Sequence, residues 1–488
     1  MTWNTEFEVA FNPKTIALVG ASTKTETFGG GSFIISMQEL GFEGRIYPIN
    51  PKAEGMEIKG LKVLPNLKSV PEPIDLVIIT VPAPIVPSVL EDCIKVNARN
   101  VHIFTAGFEE TGDKEGEELG TRIKELARQG RLRIIGPNGM GLYVPNGRIG
   151  TFSALPHDSG PVAFVSQSGG HCNEFTHSAA EYGIRFSKVI SYGNAYTMDS
   201  ADYLEYLAED SETEIITMYI EGIQDGRRLA KLVREINPKK PIIIWKGGLT
   251  KSGARVVRSH TASLAGDNDI WSSFFKQTGA VRANSLDEIM DLAMTFLYVA
   301  PTTGNRMGII GGGGGRSVSS ADVCTNEGLE VPTLSKETVD KLKTLVPMAG
   351  NIIQNPTDTI LMLYDLNLLA GMTELVATDP SIDILINDPP FILMRGVPSG
   401  IMFSDELFQP LAERIGDISR SGTRNKPLVI VSQPWKGEPS MMSAVEQFEK
   451  EVLDMGVPVY RSLRRASRAL AKFIEYHRFI ERVRIRKE

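Results

Sequence analysis

Short β-branched apolar runs alternate with amphipathic stretches along the first third of the chain. TIALVG (15–20), RIYPIN (45–50), IDLVIITVP (74–82), VHIFTAG (101–107) and RIIGPN (133–138) read as strands. SFIISMQEL, PIVPSVLEDCIKVN and GEELGTRIKELARQG fall between them with helical periodicity. Strands separated by helices make βαβ units on a parallel sheet, so this part reads as one doubly wound domain.

A Pro/Gly/Ser-rich stretch, VPNGRIGTFSALPHDSG (144–160), interrupts the rhythm and reads as a linker. The pattern then restarts. PVAFVSQSGG is a strand and glycine turn, NEFTHSAAEYG a helix, and FSKVISYGN, EIITMYIEG and PIIIWKGG are strands. The helix SLDEIMDLAMTFLYV ends near residue 299, and PTTGNR is a second linker. RMGIIGGGGG opens a third α/β pattern, continued by IDILINDPP and KPLVIVSQPW, and a basic helix, ASRALAKFIEYHRFIERVRIRKE, ends it. The expected fold class is α/β in three consecutive domains: 1–148, 149–300 and 305–488. A length of 488 residues agrees, because a single core rarely grows past about 250–300 residues.

Composition narrows the picture. Hydrophobic residues are 42% and charged residues 23%, an ordinary globular balance. Lys+Arg is 52 and Asp+Glu 59, a net charge of −7, so nothing draws the chain as a whole to nucleic acid or an anionic membrane. Any anion must be held locally. Cys93, Cys172 and Cys324 lie far apart without a CxxC pair, which argues against a disulfide framework or a zinc site. No apolar run reaches membrane-spanning length and MTWNTEFEVAFNPK has no signal-peptide h-region, so a cytoplasmic location is expected.

Three segments carry candidate chemistry. Gly20-Ala21-Ser22 follows the first strand, with Phe28-Gly29-Gly30-Gly31 before the next helix. Such a turn lets backbone approach a phosphate at a helix N-terminus. It is not GxGxxG and lacks a ribose-binding carboxylate, which makes a nicotinamide dehydrogenase the weakest reading. Lys52, after the second strand, suits a further phosphate. Ser166-Gln167-Ser168-Gly169-Gly170 stands again between strand and helix. Without GxSxG it is no nucleophile elbow, and an oxyanion or phosphoryl cradle is the better functional reading. Arg258-Ser259-His260-Thr261-Ala262-Ser263 follows a segment, LTKSGARVVR, that reads as a loop. His260 is one of six histidines, and an imidazole titrating near pH ~6.5 can carry a phosphoryl group. Glu221, closing the strand MYIEG, is available to orient it. Each segment also has a plain structural reading: a tight turn, an N-capped helix, a surface histidine.

Together these segments are diagnostic. IALVGAS, GRIYPINPKA, IDLVIITVPA, RIIGPN, VAFVSQSGG, YIEGI, SHTASLAG and GVPVYRSLRRASRALA occur in an order that resembles the α subunit of NDP-forming (ADP-forming) acyl-CoA synthetases, of the succinyl-CoA synthetase-like superfamily. The resemblance implies an N-terminal Rossmann-like CoA-binding domain followed by two flavodoxin-like domains. It places Gly20, Ala21 and Ser22 at the CoA phosphates, Lys52 pairing with one of them, Val81 and Pro82 along the pantetheine or adenine, and Asn138 near the thiol end. Ser166, Ser168, Gly169 and Gly170 would cradle the phosphate on His260, with Glu221 stabilising the phosphohistidine. No metal site is implied on this chain. The nucleotide step would use ADP/ATP and Mg2+ on an ATP-grasp β subunit, in an α2β2 assembly, and the substrates would be a small carboxylic acid, CoA and phosphate. A non-catalytic CoA-binding or regulatory protein of the same fold is the alternative, and the intact SHTASLAG and Glu221 count against it. The chain departs from the family at Gly139, where cysteine is common, at His171, Cys172 and Glu174, where small or apolar residues are usual, and at Gly311–Gly315 followed by Arg316. The departures after SQSGG point away from simple acetate as the acid.

Overall fold

The computed structural model describes residues 3–22, 29–152, 154–261, 267–311, 314–347, 351–359, 361, 365–389, 405–420, 426–433 and 439–485. Contacts divide the chain into two compact units, Met1–Ala180 with Ile184–Ile289, and Glu181–Gly183 with Met290–Glu488.

The first unit holds two sheets. In one, β1 (Thr15–Val19), β2 (Arg45–Ile49), β5 (Leu76–Ile79), β6 (Asn100–Ile103) and β7 (Arg133–Ile135) run parallel in the order β2-β1-β5-β6-β7. A small hairpin, β3 (Glu57–Ile58) and β4 (Leu61–Lys62), lies outside it. Helices α1 (Trp3–Phe11), α2 (Gly31–Glu39), α3 (Val86–Lys95) and α4 (Lys114–Gly130) belong to this stretch of chain. The strands are continuous apolar runs because both faces are covered. Ala17, Val77 and Ile79 pack with Leu90 of α3 and Ile123 of α4. Ile16, Leu18 and Ile78, one residue out of phase, pack with Phe33 and Met37 of α2. The chain leaves β1 between β2 and β5, where the strand order reverses, and a crevice opens at such a point.

The second sheet contains β8 (Gly141–Val144), β9 (Ile149–Gly150), β10 (Ser159–Ser166), β11 (Phe186–Ser191), β12 (Ile215–Ile220), β13 (Ile242–Lys246) and β14 (Val281–Ala283), in the order β14-β13-β12-β10-β11-β8-β9. Five strands are parallel, and β8 and β9 add an antiparallel edge. Helices α5 (Gly169–Ser178), α6 (Ser200–Glu209), α7 (Gly226–Ile236), α8 (Lys251–Thr261) and α9 (Asn268–Thr278) connect the strands. Two features cross the expected division at 148/149. β8 pairs with β11, and α1 packs into the second sheet's core, where Phe11 stacks on Tyr206 at 4.5 Å. Phe7 and Phe11 are fully buried there. The expected loop at 249–258 is also different, because Thr250 caps α8: its Oγ1 accepts the Gly253 N–H at 3.0 Å and the helix runs on to Thr261.

In the second unit β15 (Met307–Gly311), β16 (Ile352–Ile353), β17 (Thr357–Asp358), β18 (Ile384–Asp388), β19 (Leu428–Val431) and β20 (Val459–Tyr460) form a sheet in the order β16-β17-β15-β18-β19-β20. Helices α11 (Gly314–Asn326) through α16 (Leu463–Ile485) alternate with these strands along the chain, and α10 (Leu286–Tyr298) precedes them. Arg316, in the first turn of the helix after the glycine run, chelates the buried Asp388 at the end of β18, 2.7 Å to each oxygen. Among the described residues no helix is long and apolar enough to cross a membrane.

Candidate functional site

The crevice beside β1 is a cavity of about 390 Å³, and Gly20, Asn50, Lys52, Thr80, Val81 and Pro82 are among its walls. Gly20 is there for room. Its φ is +93°, and a Cβ would stand 2.8 Å from Thr80 Oγ1 and 2.9 Å from Val81 Cγ1. Its N–H is already given to the Ile49 carbonyl at 2.9 Å, so it is not a free donor. Gly30, at φ +35°, backs the same turn: its Cβ would lie 2.9 Å from the Gly20 carbonyl. Asn50 was not among the expected residues, yet it ties the site together. Its Nδ2 donates to the Ala21 carbonyl at 2.8 Å and its Oδ1 accepts the Lys52 N–H at 3.0 Å. The Asn-Pro pair after the second strand was its only signal. Ala21 is buried, Ser22 half-buried and Lys52 exposed on the rim. Phe28 lies outside the described residues.

The second candidate turn is built differently. Ser166, Tyr219 and Trp245 stand in register on β10, β12 and β13, so their side chains share one sheet face at its C-terminal edge. Ser166 is fully buried and turned inward: its Oγ donates to the Ser168 carbonyl at 2.9 Å and accepts the Ser168 N–H at 3.0 Å. Ser168 caps α5, its Oγ accepting the His171 N–H at 3.3 Å. Gly169 and Gly170 open the helix, where N–H groups have no intrahelical acceptor and the dipole favours an anion. The turn therefore offers two backbone donors and the Ser168 hydroxyl, with Ser166 as its brace.

Glu221 reaches this site at the end of β12 and is buried. Gln167, not expected as a site residue, clamps it: the Gln167 Oε1 accepts the Glu221 N–H and, at 2.8 Å, the Gly222 N–H. Tyr219 donates its hydroxyl proton to Glu221 Oε1 at 3.2 Å. From β13 the buried Lys246 Nζ donates to the Glu221 carbonyl at 2.8 Å and to the Gly247 carbonyl. Burial lowers the Lys246 pKa to about 8, against an opposing pull from Glu221. Burial likewise lowers the His171 pKa, which Glu174 and Glu221 partly restore. Cys172 is no nucleophile: burial pushes its thiol up to about 12. A larger cavity, about 950 Å³, opens between α7 and α9 with Gly222 and Lys246 on its walls. His260 sits in the last turn of α8, while its side chain and residues 262–266 lie outside the described residues.

Loop 136–141 runs from β7 of the first sheet to β8 of the second and touches the second turn. Asn138, at φ +59°, donates its N–H to the Thr105 carbonyl at 3.0 Å and its Nδ2 to Asn194 Oδ1 at 3.4 Å. Met140 donates its N–H to Ser191 Oγ at 3.0 Å. At Gly169 a Cβ would stand 2.5 Å from the Met140 Cγ, so the loop leaving the first sheet touches the first residue of α5. The glycine at 139 has a reason in this seam: a Cβ there would lie 2.7 Å from the Ser191 carbonyl. Beneath it, the fully buried His102 meets the Gly139 carbonyl through Nε2 at 2.9 Å, and burial lowers its pKa to about 4. The ring is neutral at pH 7, so Nε2–H is the donor.

Known proteins match this arrangement. A model of the CoA binding domain covers residues 14–145, and one of the succinyl-CoA ligase like flavodoxin domain covers residues 159–296. The chain is 33% identical to acetate–CoA ligase [ADP-forming] I subunit alpha of Pyrococcus furiosus, over 97% of this chain and 98% of that protein. It is 38% identical to acetate–CoA ligase [ADP-forming] of Methanocaldococcus jannaschii over 73% of its own length, and it spans only about half of that relative, 50%. A solved structure of the dinucleotide forming acetyl-coenzyme A synthetase 1 of Ca. Korarchaeum cryptofilum, in complex with phosphate and ADP, matches with a TM-score of 0.81 at 29% identity, covering 97% of each chain.

Proposed function

The chain belongs to the NDP-forming acyl-CoA synthetases of the succinyl-CoA ligase-like family, and from this premise we propose that it acts as the α subunit of such an enzyme. The reaction interconverts acyl-CoA, ADP and phosphate with a carboxylic acid, CoA and ATP. The observation that carries this reading is the path of loop 136–141: Asn138 donates its N–H to the carbonyl of Thr105, whose hydroxyl donates to the Val81 carbonyl on the cavity wall, while Met140 lies against Gly169 of the donor-lined turn next to the buried Glu221.

In this reading CoA lies in the cavity at the end of β1. Gly20 makes the room, Ala21 and Ser22 face the pyrophosphate, Lys52 pairs with a phosphate, Val81 and Pro82 flank the pantetheine or adenine, and Asn138 lies toward the thiol end. The residues present fit such a ligand, with a cavity, a cation on its rim and a wall of apolar atoms. Phosphate attacks the thioester carbonyl, the C–S bond breaks, and the thiol leaves as an acyl phosphate forms. The His260 imidazole then attacks phosphorus and the carboxylate departs. The phosphohistidine finally passes its phosphoryl group to ADP. The protein's part is positioning and charge stabilisation. Gly169, Gly170 and the Ser168 hydroxyl hold the phosphoryl oxygens, Ser166 fixes that turn, and Glu221 holds the imidazole in the attacking tautomer and supports its cationic phosphorylated form.

ADP/ATP with Mg2+ would sit on an ATP-grasp β subunit, in an α2β2 assembly. The relative of twice the length supports a nucleotide step beyond these domains, and the Pyrococcus furiosus match carries the words subunit alpha in its name. The third sheet would be the second flavodoxin-like, ligase-CoA domain. The test is reconstitution with the β partner. Thioester formation from acid, CoA and ATP is expected, with loss of at least about 10³-fold in His260→Ala. Full activity in that variant would remove the reading.

A further inference from the structure

Three aromatic rings stand beside the donor turn, and the steps proposed above use none of them. His171 follows Gly170 directly, in the first turn of α5. Its ring lies edge-on to Tyr219 at 4.6 Å and tilted over Trp245 at 4.8 Å, and the last two meet at 4.7 Å. The trio is placed by sheet geometry: Tyr219 and Trp245 are register partners, and Ser166 is the next residue in the same row.

The rings are not core filler. His171 keeps 29% of its side chain exposed, and Trp245 is half-buried. Tyr219 is the fixed member, buried with its hydroxyl on Glu221. Gly247 makes its place: a Cβ there would stand 2.6 Å from the Tyr219 hydroxyl. The trio thus combines one buried, anchored ring with two partly open ones, adjoining the donor turn through His171 and a carboxylate through Tyr219. It lies at the C-terminal edge of a parallel sheet, where ligands of such folds bind.

We propose that His171, Tyr219 and Trp245 are the acyl-recognition surface of this enzyme and select an aryl acid, a carboxylic acid whose reacting carbon is attached closely to a planar aromatic group. The inference rests on the acyl-CoA synthetase reading above and names its substrate class. The carboxyl carbon must come to the phosphate at Ser168–Gly170, so the first atoms beyond it meet the residue after Gly170 and the row beside Ser166. A methyl group leaves the rings nearly uncovered. A planar ring offers them offset-stacked and edge-to-face contacts, the arrangements aromatic pairs favour. Burial lowers the His171 pKa against the pull of Glu174 and Glu221, and so favours the uncharged ring that suits an apolar guest.

The experiment uses the enzyme reconstituted with its β partner and three acids: acetate, phenylacetate and cinnamate. The wild type is expected to show a kcat/KM at least 10-fold higher for one of the aryl acids than for acetate. In His171→Ala and Trp245→Ala that ratio should fall at least 10-fold, mostly through KM, and Trp245→Phe should restore part of it. Melting temperature serves as the folding check on each variant. A wild type that prefers acetate overturns the inference, and so does a ratio unchanged in folded variants. Acid-labile phosphate on wild-type His260 separates the two ideas. With label present, a preference for acetate removes only the aryl assignment, whereas absence of label removes the synthetase reading and this inference together.

Discussion

At the end of β1 the chain makes room; at the end of β10 it fixes donors. Gly20 has a strained-for-others φ of +93° and gives its N–H to Ile49, leaving a cavity of about 390 Å³ whose only contribution from that residue is space. Ser166 does the reverse. It fills its site, is fully buried, and locks the backbone of Ser168 with two hydrogen bonds. Both are strand–glycine–helix turns and look alike in sequence. On the proposed reading, one takes a large ligand whose body must pass close to backbone. On the same reading, the other holds a small anion whose atoms must be kept in place during transfer.

Either turn can be disabled on its own. The largest effect is expected for Gly20→Val, which places carbon against Thr80 and Val81 in a backbone conformation that side chains disfavour. CoA affinity by calorimetry should fall by two orders of magnitude or more, about 3 kcal/mol. Phosphohistidine formation on the second turn should survive, and its loss in a folded variant would mean that the turns are not separate devices. Glu221→Gln is the reciprocal cut. It should lower the rate of phosphohistidine formation roughly 100-fold while CoA affinity stays within about 2-fold.

The loop between the two sheets has its own signature. His102 has a folded pKa of about 4, below the unfolded value of about 6.5. The unfolded chain therefore takes up the proton first. Stability is fully present above about pH 6.5 and declines as pH falls toward 4, by roughly 3 kcal/mol in all. Denaturant titrations across that window should show the decline, and His102→Gln should flatten it. The smallest effect is expected for Lys52→Ala. An exposed cation on the cavity rim should contribute about 10-fold to CoA affinity at low salt, and that difference should shrink as ionic strength rises.

Much of this was legible in the chain. Apolar runs marked the strands, so IDLVIITVP became β5 and PIIIWKGG became β13 within a few residues. Glycines after strands marked the turns, and Gly20, Lys52, Val81 and Pro82 do line one cavity. The unread parts depend on strand order. Nothing in the local pattern says that β12 lies between β10 and β13, so the row Ser166–Tyr219–Trp245 could not be seen. Gln167 was hidden for the same reason: its partners, Glu221 and Gly222, come from a strand more than 50 residues away. The first helix was read only as lacking a signal sequence, whereas Phe7 and Phe11 are core residues packed on Tyr206. The segment before His260 read as a loop because Gly253 weakens a helical pattern. Thr250 supplies the cap that the pattern lacked.

On the proposed reading, this chain carries the phosphoryl group between acid activation and nucleotide. The direct test is to incubate the reconstituted enzyme with γ-labelled ATP, isolate this chain, and map the label. One acid-labile, base-stable phosphate is expected on His260, discharged by added ADP and absent from His260→Ala. A chain that takes no label, or one that keeps it in His260→Ala, would overturn the phosphohistidine assignment.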